Sequence, residues 1–176
     1  MGVSISWIAV KDVAPEKIFE HIGLKKTTNK SDWTKFEYSY IDMKNGWHLI
    51  IAYRVDVITE RESWVLKLSE LAQTIAVFVE EHVMYSAACC FENGKRVWFI
   101  EHDCERGLED VKTDGTLPTC FEKVHKDLLS QLKSDPDPCD YLFDVPVEVS
   151  RAFTGYRYDQ WHLNPEDEVY WELVKA

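Results

Sequence analysis

The chain has 176 residues, enough for one sizeable hydrophobic core and too few for two ordinary ones, so it reads as a single domain over 1–176. Hydrophobic side chains make up 45% and aromatics 13%, with only seven Gly and six Pro, which excludes disordered, collagen-like and low-complexity chains. A formal net charge of −11 leaves no electrostatic reason to expect binding to nucleic acid phosphates or to an anionic membrane.

Residues 3–10 alternate apolar and polar and then turn apolar, which predicts a strand rather than a signal peptide. Ala14-Pro15-Glu16 opens a helix, with proline near its first position, a buried stripe of Ile18, Phe19 and Ile22, and Gly23 at its end. Residues 25–34, rich in Lys, Thr and Asn, read as a loop. Two β-rich runs flanking Asn45-Gly46 predict a hairpin over 36–42 and 47–55, and a two-residue turn makes opposed residues sum to 91. Residues 62–72 predict a helix with Trp64, Leu68 and Leu71 on one face, and 74–79 a strand. A second hairpin, 85–91 with 96–102 around Asn93-Gly94, has opposed residues summing to 187, with apolar residues on both faces. Residues 103–117 read as a charged loop. A helix follows from Pro118 to about Lys133, then a rigid Asp135-Pro136-Asp137-Pro138 break, then a short helix capped by Asp144 and ended by Gly155, then a last strand over 169–174. The expected fold is α+β: a mainly antiparallel sheet of about six strands, with two Asn-Gly hairpins and about four helices.

The five cysteines, Cys89, Cys90, Cys104, Cys120 and Cys139, are odd in number and irregularly spaced, the pattern of free thiols in a reducing compartment. No window is long and apolar enough for a membrane span, so the expected location is cytoplasmic. Phosphate-cradling glycine motifs, a nucleophile elbow, H-E-x-x-H and C-x-x-C are all absent, and no cofactor or metal is expected.

Two weaker candidates remain. At the end of the second hairpin His82, Glu101, His102 and Cys104 are brought near one another by the pairing, with Ser86 and Asp103 beside them. Imidazole, carboxylate and thiolate together would suit zinc, but the paired short spacing of zinc ligands is missing; Cys104 or Ser86 with a neighbouring histidine would suit hydrolase-like nucleophilic chemistry. Against it, no glycine adjoins Cys104, and surrounding carboxylates would weaken a thiol nucleophile.

The other candidate is the acidic end. Residues 1–100 carry 12 basic against 13 acidic side chains, whereas 101–176 carry 8 against 18. Within the latter, Tyr156, Tyr158, Trp161 and Trp171 are interspersed with Asp159, Glu166, Asp167 and Glu168, and aromatic anchors rimmed by carboxylates make a protein-binding surface.

At Gly2-Val3-Ser4-Ile5-Ser6-Trp7-Ile8-Ala9-Val10 and at Glu80-Glu81-His82-Val83-Met84-Tyr85-Ser86 the chain resembles an uncharacterised bacterial family of similar length. That resemblance implies no activity, cofactor or catalytic residue. In size, acidity and α+β make-up the chain is also similar in general character to bacterial immunity proteins, which neutralise toxins by binding them. The expected function is therefore a non-enzymatic binding module of the immunity or antitoxin type, taking a basic protein partner. The alternative is a small enzyme using the hairpin-end cluster.

Overall fold

A computed structural model describes residues 2–161 and 169–176. Its elements run β1 (Ser4–Lys11), α1 (Pro15–Ile22), β2 (Leu24–Ser31), β3 (Tyr38–Asp42), β4 (Trp47–Tyr53), α2 (Glu62–Ser69), β5 (Thr74–Glu80), β6 (Tyr85–Glu92), β7 (Lys95–Asp103), β8 (Lys112–Gly115), α3 (Phe121–Ser134), α4 (Val145–Thr154) and β9 (Tyr170–Lys175). Short 3-10 turns at Cys104–Arg106 and Tyr141–Asp144 join them. No helix among the described residues is long and apolar enough to cross a membrane.

The strands form one antiparallel sheet in the order β2-β9-β3-β4-β1-β5-β6-β7-β8. β1 is central, and Ile5 through Val10 are all buried. Alternate side chains point to opposite faces. Ile5, Trp7 and Ala9 join Leu49, Ile51, Val77 and Ile100 beneath α3 and α4. Ile8 and Val10 join Ile50, Ala76 and Cys89 beneath α1 and α2. Each fully buried aliphatic side chain of β1 contributes about 1.5–3 kcal/mol, so both helical layers are held by the same strand. The adjacent Cys89 and Cys90 lie in opposite layers, as strand geometry requires.

The α+β make-up holds, but the expectation of about six strands is corrected to nine among the described residues. Two strands lie where loops were expected. β2 carries Lys-Lys-Thr-Thr-Asn-Lys between Leu24 and Ser31, and only those two end residues are buried. β8 is exposed throughout. Both are edge strands, held by backbone pairing, and their polar side chains guard the edge against further pairing. Such strands show no apolar alternation.

Both hairpin registers differ from expectation. Tyr38 faces Ala52 and Asp42 faces His48, so opposed residues sum to 90 rather than 91. The first turn is longer than two residues because Asn45 is engaged on both sides. Its Oδ1 accepts from the Trp47 amide, and its Nδ2 donates to the Thr154 carbonyl at the end of α4. The second turn is as expected: Asn93 and Gly94 take φ of 52° and 71°, and Phe91 faces Arg96. Then a bulge leaves Val97 unpaired, Cys90 faces Trp98, and the sum becomes 188 for the rest of the strand. This one-residue slip puts His102 opposite Ser86 and Glu101 opposite Ala87.

The expected cap at Asp144 is also corrected. Its side chain makes no capping bond to α4, because a 3-10 turn runs straight into the helix and the carboxylate accepts from Arg157 instead.

The bulge is packed against β8 through Gly115, which has a φ of 81° and where an added Cβ would collide with the Val97 carbonyl. Gly115→Ala is expected to cost about 1–3 kcal/mol, from strain and from displacement of β8. Urea unfolding measures the loss, and hydrogen exchange locates it to β7 and β8. An unchanged midpoint would show that the bulge does not depend on this contact.

Candidate functional site

The hairpin-end residues diverge. His102 is fully buried on the α3/α4 side. Its Nδ1 donates to the Asp110 carbonyl at 2.6 Å and its Nε2 to Asp140 Oδ2 at 2.9 Å. With an oxygen facing both nitrogens the site favours the imidazolium, paired with a carboxylate that is itself only 7% exposed. Burial alone would lower the His102 pKa, but the Asp140 hydrogen bond and charge, with help from Asp110, outweigh it and raise it. The pair ties two loops, residues 104–111 and 135–140, to β7. Beside it Ser86 Oγ donates to the Phe143 carbonyl.

Glu101 points to the opposite face. It accepts from Tyr85 Oη at 3.1 Å and from Arg106 Nη2 at 2.8 Å. His82 is exposed on the β5–β6 turn and donates through Nδ1 to Glu80. Cys104 sits in the 3-10 turn with its thiol on the Val83 carbonyl. Burial and then the charges of Asp140, Asp103 and Glu105 push its pKa up, away from a reactive thiolate. The four side chains engage different partners, and among the described residues no group of three or more His, Cys, Asp or Glu is placed to hold a metal ion.

The C-terminal aromatic set divides three ways. Tyr156 is core: it is fully buried and meets Trp7 edge-on at 5.2 Å. Trp171 lies on the α1 side, with the ammonium groups of Lys26 and Lys30 at 4.7 and 5.7 Å over its ring. Tyr158, Asp159 and Trp161 meet Asp32, Trp33 and Tyr170 around a cleft of about 230 Å³. Glu166, Asp167 and Glu168 lie outside the described residues.

Trp33 and Trp161 are 60% and 62% exposed, the most open large hydrophobic side chains among the described residues. The floor beneath them is fixed. Tyr158 Oη donates to Glu81 at 2.7 Å, and the other oxygen of Glu81 accepts from the Val3 amide. Burial, then the hydrogen bond to Glu81, pushes the Tyr158 phenol well above its ordinary range. Arg157 anchors the segment leading into the cleft by donating to Asp144, Glu148 and Asp159.

Asp32 and Trp33 are the site residues that sequence reasoning missed, since they fall in the stretch read as loop. A signal was present: Trp33 stands among Ser, Asp, Thr and Lys, with Ser31 and Lys35 at strand spacing, so it belongs to no alternating apolar run.

His102→Gln is expected to cost about 3–5 kcal/mol, because it leaves the Asp140 carboxylate buried without its counter-charge. The folded-state pKa of His102 lies above its ordinary 6.5, so its stabilisation is complete below that pH and is lost as pH rises through the raised value. Urea unfolding across that window should show wild-type stability falling with pH and the variant lacking this component. Equal pH slopes would refute the ion pair. No family model, no curated protein and no solved structure matches the chain.

Proposed function

We propose that this protein is a non-enzymatic binding module that grips a basic protein partner through the Trp33/Trp161 cleft, acting as an inhibitor of the immunity or antitoxin type. The observation that carries this reading is the convergence of two open tryptophans, at 60% and 62% exposure, beside Asp32 and Asp159. Tryptophan supplies a large apolar area with few rotatable bonds, and it dominates the centres of protein interfaces when a partner excludes water from it.

Charge supports the choice of partner. The excess of acidic side chains lies almost wholly in residues 101–176, and it would both steer a basic protein inward and disfavour neutral or acidic competitors. Nuclease toxins are of this kind, since a surface that binds phosphates is basic. Five free cysteines support a reducing, cytoplasmic setting. The small-enzyme alternative has less support, since His82, Glu101, His102 and Cys104 face different surroundings.

The test is capture from a lysate of the source cell at low and then moderate salt, using wild type and a Trp33→Ala/Trp161→Ala double variant. A basic protein retained by wild type, released as salt rises and absent from the double variant is the expected result. Both tryptophans are largely solvated, so the double variant should unfold within about 1 kcal/mol of wild type. Retention of the same proteins by both, or of none by wild type, would overturn the proposal.

A further inference from the structure

The α1/α2 side of the sheet is unevenly covered. α2 packs on β1, β5 and β6, and beyond it Phe78, Tyr85 and Phe99 remain partly exposed on that face, with the small Ala87 between them. Here lies a recess of about 460 Å³ that shares no lining residue with the tryptophan cleft. Its floor is aromatic. The rings of Phe78 and Tyr85 lie 6.1 Å apart and are inclined at 51°, forming a two-sided corner.

Its walls are mainly acidic. Asp56 and Glu62 stand on one side, and Glu101 and Arg96 on the strand side. Asp56 is held in place by the Ile58 and Thr59 amides and the Thr59 hydroxyl, none of which cancels its charge. Glu101 is shared with Arg106. Arg96 already shows what this surface attracts: its guanidinium carbon lies 5.2 Å over the Phe99 ring while Nη2 donates to Asp114 at 2.9 Å. That arrangement turns the chain's own cation toward β8 and leaves the Phe78–Tyr85 corner free of it.

We propose that this recess binds a small organic cation of the alkylammonium class, seated in the Phe78–Tyr85 corner and facing Asp56 and Glu62. Ring faces carry the negative lobe of the aromatic quadrupole, and nearby carboxylates add to that field. A rounded alkylammonium fits a two-sided corner and needs no hydrogen-bond acceptors in the plane of its charge. A planar guanidinium does need them, and Asp56 has already turned its oxygens to Ile58 and Thr59. The volume lies in the range of small-ligand sites.

The experiment titrates the full ¹⁵N-labelled chain with choline chloride and, separately, with 3,3-dimethylbutan-1-ol, in which carbon replaces the charged nitrogen. Saturable shifts at the Phe78, Ala87 and Phe99 amides with choline are expected, with the neutral isostere binding about ten-fold more weakly. Phe78→Leu keeps the apolar contact and removes the ring, so it should weaken choline about ten-fold and leave the isostere unchanged. Glu62→Gln, on an exposed side chain in the first turn of α2, should weaken choline several-fold and serves if the first variant unfolds. Equal binding of the two probes, absence of saturable shifts in the millimolar range, or shifts confined to Trp33 and Trp161 would each overturn the proposal. Loss of partner capture by the tryptophan variant bears on the cleft alone, so the two readings fail separately.

Discussion

Trp7 and Ile8 are neighbours on one strand, and neither has any exposed surface. Burying both requires apolar cover on the two faces of the sheet at once, and this demand organises the molecule. Helices α1 and α2 are supplied early in the chain for one face. The other face waits for α3 and α4, more than a hundred residues after β1. The core is therefore closed by contacts of long sequence separation, and the chain must be nearly all present before β1 is sheltered on both sides. With both central faces committed to packing, surfaces free for binding are left to the margins. The tryptophan cleft lies where β2 ends and β9 begins, and the aromatic recess lies where α2 gives out over β5–β7.

The acidic surplus of the C-terminal half is partly internal. Asp144, Glu148 and Asp159 converge on Arg157; Glu101, Asp103 and Asp110 converge on Arg106; Asp140 holds His102. The two arginines each gather three carboxylates and His102 holds one, so loops that have little apolar content of their own are fastened by charge. These clusters tune local structure more than they set the global field, since cations lie among them. On the proposed reading, attraction for a basic partner would draw on carboxylates outside these clusters, among them Asp32, which comes from the N-terminal half of the sequence and stands exposed beside Trp33.

What could be read in the sequence was whatever apolar periodicity or turn chemistry dictates. β1, α1, the positions of both Asn-Gly turns and β9 belong to this class, and so does the division of Cys89 from Cys90. β2 and β8 were hidden because edge strands keep polar side chains and take their order from a neighbour's backbone. The registers were hidden for a different reason. Asn45 forms its bonds with Trp47 and Thr154, the latter from a helix more than a hundred residues away, and the Val97 bulge is braced by β8; no local pattern records either. The hairpin-end candidates depended on that register: the slip sets His102 opposite Ser86 and Glu101 opposite Ala87, and as neighbours on one strand the two face opposite sides of the sheet in either register. The binding candidates were half legible: Tyr158, Asp159 and Trp161 meet at one cleft, while Tyr156 and Trp171 were drawn away by Trp7 and by two lysines.

The bulge at Val97 gives β7 two reading frames. Before it, inward and outward positions follow one parity; after it, the other. Substitutions within either stretch are local events, judged by the fit of one side chain. Gain or loss of a single residue between Lys95 and Asp103 is not local, because it would exchange the inner and outer rows of the strand and turn His102 toward water and Glu101 toward the α3/α4 layer. Strand length should therefore be more strictly preserved through this protein's descent than the identity of any one residue along it.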